Sequence, residues 1–236
     1  MPAKSGEKLV IVGDGEFAEI ACEYFTHDSP YEVIGFAVEQ AFLTKQALFG
    51  RPVVAFEGME CLFPPNNYRA FVAITFTRLN RVRARLFRGV KAKGYRPVSY
   101  VSSHAFVWRD VEIGENCFVF ENNVVQYKAR IGDDVILWSG NHIGHRAVIG
   151  DHCFLSSHVV VSGYCEIGES CFIGVNSSIG DGVKVAKDCV IGAGAVIVGD
   201  TVEGGVYKEH RGGPSKVGSH ILMRVRDEPQ QMLGAA

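Results

Sequence analysis

The sequence predicts two joined folds: an α/β domain over residues 1–100 and a three-sided parallel β-helix over 101–202, followed by a tail at 203–236. Three observations predict it. Stepping by six from Val101 meets only aliphatic residues, seventeen in succession to Ile197. The position four further on holds only small or mid-sized residues, from Ala105 through Cys117, Ala147 and Cys165 to Thr201. Ahead of these hexads, short apolar runs alternate with helix-like segments.

A short strand and a tight corner every six residues, three sides to a coil, satisfies these columns. The aliphatic residue points into the prism and the small residue fits the crowded corner. The residue after the aliphatic one is glycine in eight of the seventeen hexads, which is expected to relieve strain where the chain turns. Parallel pairing of coils about 4.8 Å apart gives a stack roughly 27 Å tall. Five of the seven cysteines (Cys117, Cys153, Cys165, Cys171 and Cys189) fall in the small column. With an odd count and no C-x-x-C pair they read as packing residues, and no metal is expected.

In the first hundred residues KLVIVG reads as a strand, followed by the turn Gly13-Asp14-Gly15-Glu16-Phe17-Ala18 and a helix through Phe25. EVIGFAV reads as a second strand ending at Glu39, FVAIT (71–75) as a third, and RLNRVRARLFRGVKAKGY as a helix. A G-x-G-x-x-A turn lets the backbone approach a phosphate at a helix N-terminus; a tight turn with no ligand is the alternative. The strands are too few for a complete dinucleotide fold, so a truncated Rossmann-like domain of three or four strands is expected. The arginines at 78, 81, 83, 85 and 88, with Lys91 and Lys93 after them, are expected mostly on the solvated face of their helix.

A formal charge of −2 and a pI near 6.4 argue against nucleic acid or an anionic membrane as partner. No apolar stretch reaches bilayer length and the N-terminus lacks a signal-peptide pattern, so a cytoplasmic location is expected.

The chemistry concentrates in SGNHIGHRAVIGDHCFLSSH, which supplies His142, His145, His152 and His158. Histidine suits a base that takes a proton near neutrality. The register puts His145 at an outward-facing strand position and His142 beside the preceding corner; a plain surface histidine is the competing reading of His145.

The order of domains, from KLVIVGDGEFAE to GAGAVIV, resembles the bacterial hexapeptide-repeat acetyltransferases of nucleotide-linked sugars. That group includes enzymes acting on bacillosamine and perosamine precursors and the sialic acid O-acetyltransferases. The resemblance implies a left-handed β-helix, acetyl-CoA as co-substrate, and a homotrimer with active sites between subunits. It also implies a small domain that binds a sugar nucleotide in place of a nicotinamide. By matching position, Gly13, Asp14, Gly15 and Glu16 would lie near the sugar phosphates. Val38 and Glu39 would lie near the nucleoside, and Thr75 and Phe76 at the next strand end. His145, in Ile143-Gly144-His145 ahead of Val148-Ile149-Gly150, resembles the family's general base, with His142 as second base or substrate contact. Phe154, Gly174, Gly192 and Ala193 are expected to contact acetyl-CoA, the glycines by leaving backbone N–H groups open to it. Pro214 and Lys216 would lie near its adenosine end.

Two departures stand out: Ala37-Val38-Glu39 replaces an acidic pair, and Arg146 replaces the carboxylate that often follows the base. The group that orients His145 is then open, with Asn141 and Asn122 as candidates. The expected reaction is direct acetyl transfer to the amino group of a nucleotide-linked sugar. The alternatives are transfer to a sugar hydroxyl and a non-catalytic β-helix trimer. A three-histidine zinc hydrase would need two histidines five residues apart, which the sequence lacks.

Overall fold

The computed structural model describes residues 6–208. Its α/β domain runs β1 (Lys8–Val12), α1 (Glu16–His27), β2 (Glu32–Val38), β3 (Ala47–Leu48), β4 (Arg51–Ala55), β5 (Tyr68–Val72), α2 (Arg81–Ala92) and β6 (Arg96–Pro97). These strands form one sheet in the order β3-β4-β2-β1-β5-β6, parallel except for the β3–β4 hairpin. Six strands exceed the three or four expected. Two of them are only two residues long, too short to show any alternation in sequence. The third expected strand also lies earlier, at Tyr68–Val72, because its register is set by pairing along the whole of β1.

Helix α1 buries Phe17, Ala18, Ala21, Cys22 and Phe25, the three- to four-residue spacing of a single helix face. That face is held between the sheet and the β-helix. Helix α2 covers the opposite side of the sheet, packing Leu86, Phe87 and Val90 with Val10, Val12, Ala70 and Met59.

From Tyr100 the chain winds into three parallel stacks of two-residue strands. Face one runs from Tyr100–Val101 to Val206–Tyr207, face two from Phe106–Val107 to Val196–Ile197, and face three from Glu112–Ile113 to Lys184–Val185. The aliphatic column fills the interior together with Cys117, Cys153, Cys165, Cys171 and Cys189, each fully buried. Their thiols sit under backbone carbonyls, as Cys153 Sγ does under Gly168 O at 3.1 Å. The ladder runs past the expected end at residue 202. Its last coil is shortened, so that Val190 pairs with Val206 rather than with a residue a full turn away.

The corners differ from expectation in one respect. The left-handed backbone falls not on the glycines that follow the aliphatic residue but at the fourth hexad position, with φ of 58° at Asp134 and Arg146, 61° at His152 and 79° at Gly140. The glycines answer a different constraint, the close approach of successive coils. A Cβ at Gly144 would lie 2.5 Å from the carbonyl carbon of Ser162, and one at Gly132 would lie 2.9 Å from the backbone nitrogen of Asp151.

Face one is the side on which the α/β domain docks. Its outward residues Phe118, Ile136 and Phe154 join Phe17, Phe25, Phe71, Tyr100 and Phe120 in one apolar cluster across the two domains. Phe118 alone contacts Phe17, Tyr24, Phe25, Phe71 and Tyr100; burying one such ring contributes about 1.5–3 kcal/mol. Helix α2 reaches round to the corner between faces three and one. There Arg83 is completely buried, contrary to the solvated position expected of it. Its guanidinium donates to the carbonyls of Thr75, Asp134, His152 and Cys153 and pairs with the Asp134 carboxylate, and only such saturation makes a buried arginine tolerable. Arg81, Arg85, Lys91 and Lys93 do lie outward, paired with Asp188, Glu39, Glu115 and Glu60.

Candidate functional site

A cleft of about 560 Å3 opens at the C-terminal ends of β1, β2 and β5, where loops leave a parallel sheet. Gly13, Asp14, Gly15, Glu16, Val38, Glu39 and Thr75 all line it. Gly13 requires its glycine: φ is +128° and a Cβ would lie 2.8 Å from the Ala73 carbonyl oxygen. Gly15 caps α1, so the first N–H groups of that helix face the cleft. Glu39 receives two 2.8 Å hydrogen bonds from Arg85, which hold its carboxyl below the usual range against an opposing push from burial.

Phe76 departs from the expected set. It turns from the cleft onto Phe154 and Phe172, with ring centroids 5.1 and 4.9 Å away. Sequence reasoning also missed most of the apolar wall, formed by Phe17, Ile20, Phe42, Ile74, Val82 and Leu86. Trp138 was missed as well, and it is the β-helix's own contribution to the lining. Its indole stacks on Phe120, centroids 4.5 Å apart and 10° from parallel. The signal was present in the repeat, since Phe120 and Trp138 occupy the same position of successive coils.

The histidines separate by corner. His152 is buried, its Nδ1 2.8 Å from Asp134 Oδ2 beside Arg83, and belongs to the interdomain seam. His158 lies over Gly140 at the corner between faces one and two. His142 opens a strand of face two between Val124 and Val160. His145 is exposed, in the turn between faces two and three and not on a strand as expected. The strand there is only His142–Ile143, because the corner takes four residues of every six. Asn141 does not orient His145: it donates to Trp138 O and accepts from Val159 N within the preceding corner. Asn122 lies in that same preceding corner, one coil earlier, with φ 58°.

The remaining expected contacts divide as follows. Phe154 is buried in the interdomain cluster, stacked with Phe172 at 5.6 Å. Gly174 and Gly192 do not offer open N–H groups. They donate to Ile191 O and Tyr207 O at 2.8 and 2.7 Å, because the parallel ladder uses those donors. Ala193 is exposed in the last corner between faces one and two. Pro214 and Lys216 lie outside the described residues. No helix among the described residues is long and apolar enough to cross a membrane.

Residues 128–163 and 164–199 match the family described as bacterial transferase hexapeptide (six repeats). With an α/β domain ahead of that repeat, the architecture is the one seen in hexapeptide-repeat acyltransferases built on a left-handed β-helix. Among solved structures, the chain is similar to PerB from Caulobacter crescentus, determined in complex with CoA and GDP-perosamine. The two share 26% identity over 86% of this chain and 94% of that one, with a TM-score of 0.76. The acetyltransferase domain of PglB from Neisseria gonorrhoeae FA1090 shares the fold at 24% identity, covering 89% of this chain and 100% of its own, TM-score 0.78. WeeI from Acinetobacter baumannii AYE does so at 19% identity, over 84% and 94%, TM-score 0.70. No curated protein matches the chain.

Proposed function

We propose that the protein transfers an acetyl group from acetyl-CoA to the amino group of a nucleotide-linked amino sugar, with His145 as general base. The observation that carries this reading is the cleft: its lining joins a G-x-G-x-x-A turn, a helix N-terminus and three strand ends in one concavity, the chemistry that suits a diphosphate and its nucleoside. The similarity to PerB, solved with CoA and GDP-perosamine, supports both substrates.

In this reading the amine nitrogen attacks the thioester carbonyl and the new C–N bond forms as His145 takes the amine proton. The C–S bond then breaks, and the departing thiolate takes that proton back from His145, leaving an amide, free CoA and the neutral base. His142, on the adjoining strand, is placed to contact the acceptor or to act as a second base. Gly174, Gly192 and Ala193 would contact acetyl-CoA through surface shape, since the N–H groups of both glycines are already used. Phe154 would touch it only at the edge of the interdomain cluster. Acetyl-CoA as donor suits a cytoplasmic reaction.

The working unit is a homotrimer with sites between copies. Face one holds the cleft, while His145 occupies the opposite vertex of its own prism, so a neighbour's cleft is the natural partner for each base. Face two presents Phe106, Val160 and Val196, all exposed, whereas face three presents Glu112, Arg130, Glu166 and Lys184.

The test is thiol release from acetyl-CoA with UDP-, dTDP- and GDP-linked amino sugars, for the wild type and His145→Ala. Loss of the base should lower kcat about 10²- to 10⁴-fold, and the product should be an alkali-stable amide. Turnover of every accepted sugar within a few-fold of wild type in the variant would sink the assignment.

A further inference from the structure

The residue after His145 is Arg146, a cation that cannot accept a hydrogen bond from the imidazole. Among the described residues no hydrogen bond reaches either ring nitrogen of His145; its recorded side-chain partner, Gln126 Oε1, accepts from the backbone N–H at 3.1 Å. The ring is placed by packing instead. Tyr127, His145 and Gly163 occupy the same position of three successive coils, and the imidazole leans onto Gly163. A Cβ there would lie 2.4 Å from His145 Cε1 and 2.9 Å from both ring nitrogens. Next to Gly163, the ring of Tyr164 meets the imidazole edge to face, centroids 5.0 Å apart and planes at 83°. Tyr164 is in turn held from its other neighbour: the Arg146 guanidinium lies 6.0 Å from its ring centroid and 5.7 Å from that of Tyr127.

We propose that Gly163 and Tyr164 are the positioning residues of His145, steering the imidazole by a vacant Cβ site and an aromatic edge, with Arg146 clamped between Tyr127 and Tyr164 to hold that edge. The backbone geometry gives this physical content. Tyr164 and Arg146 share the left-handed corner conformation, φ 58° for both, so their side chains leave the same corner in register, one coil apart. Gly163 itself has no left-handed φ and needs no glycine for its backbone. The atoms that forbid a side chain at Gly163 are the far end of the His145 ring. A methyl added there meets the imidazole first and displaces it. An exposed histidine with no hydrogen-bonded partner would otherwise sample several rotamers, and a base held in one of them spends more of its time in the productive geometry.

This inference rests on His145 being the base, and the experiment separates the two. Gly163→Ala, Tyr164→Ala, Tyr164→Phe and His145→Ala are compared with wild type in the acetyl-CoA assay, using the sugar nucleotide turned over fastest. In parallel the His145 ring protons are followed by NMR. Gly163→Ala and Tyr164→Ala should lower kcat about tenfold to a hundredfold, as loss of an orienting neighbour does elsewhere, with both KM values within about threefold. Tyr164→Phe keeps the ring and should stay within about threefold of wild type. The melting temperature should hardly move in any of them. The His145 ring-proton shifts should change in Gly163→Ala, where no aromatic ring is lost, and persist in Tyr164→Phe; a shift change in Tyr164→Ala alone reports only the missing ring current. Unchanged kcat in both Gly163→Ala and Tyr164→Ala, or identical His145 shifts in all variants, overturns the positioning role. Full turnover in His145→Ala overturns the base assignment and the positioning role with it, even where the shifts confirm the packing.

Discussion

Arg83 Nε lies 3.2 Å from Asp134 Oδ1, and neither side chain has any exposure to solvent. Arg83 comes from α2 and Asp134 from a corner of the β-helix, so this pair and the carbonyls around it join the domains with charge in the middle of the seam. The same guanidinium donates to Thr75 O at 2.9 Å, fixing the loop that follows β5 and borders the cleft. Removing one partner leaves the other charged and buried. Arg83→Met should therefore cost about 3–5 kcal/mol, read as a lowered urea midpoint, while Arg83→Met combined with Asp134→Leu should recover part of that loss. A single-variant cost below 1 kcal/mol would show that water reaches the seam.

Asp28 supplies a pH dependence at the opposite edge of the interface. Burial pushes its carboxyl up, but hydrogen bonds from Tyr100 Oη at 2.6 Å and Ser103 N at 2.9 Å outweigh burial, and the pKa is lowered. A lowered folded-state pKa gives stability that is present above the unfolded carboxylate value and lost as pH falls through the folded one. Stability should thus decline below about pH 4, with a shallower decline in Asp28→Asn, as measured by urea midpoints between pH 7 and pH 3. Equal slopes in the two proteins would remove Asp28 from the account.

Val160 is 41% exposed on face two, directly beside His142 in the ladder. A carboxylate on that face opposes burial against another copy. Val160→Glu should shift the sedimentation profile toward monomer and reduce turnover at least about tenfold, while leaving the monomer's circular dichroism intact. An unchanged oligomer would place the contact on a different face.

Trp138 tests the cleft from the β-helix side. Truncation to alanine removes a large apolar wall, so KM for the sugar nucleotide should rise about fivefold to fiftyfold. Trp138→Phe should preserve most of the affinity, and KM for acetyl-CoA should not change. Equal rises in both KM values would indicate a general loosening of the seam around Phe17 and Phe120.

Much of this was legible in one dimension. A period of six from Val101 to Ile197 determined the prism, its interior and the burial of five cysteines. That is possible because each coil repeats the same local environment, and local environments are what a sequence writes directly. The turn Gly13–Glu16 likewise announced a cleft at the first strand end. What only the tertiary structure decided lies where the repeat meets something that does not repeat. Phe118 and Phe154 look like outward ladder residues until α1 covers them, and Arg83 reads as solvated until a corner of the β-helix surrounds it. The glycines that follow the aliphatic column, such as Gly132 and Gly144, looked like turn residues, yet the distance between coils demands them and the backbone angle does not. His145 is singled out as a candidate base only by resemblance, and its packing against Gly163 and Tyr164 depends on residues a full coil away. The sequence sets the spacing of such residues, and only the winding of the chain brings them into contact.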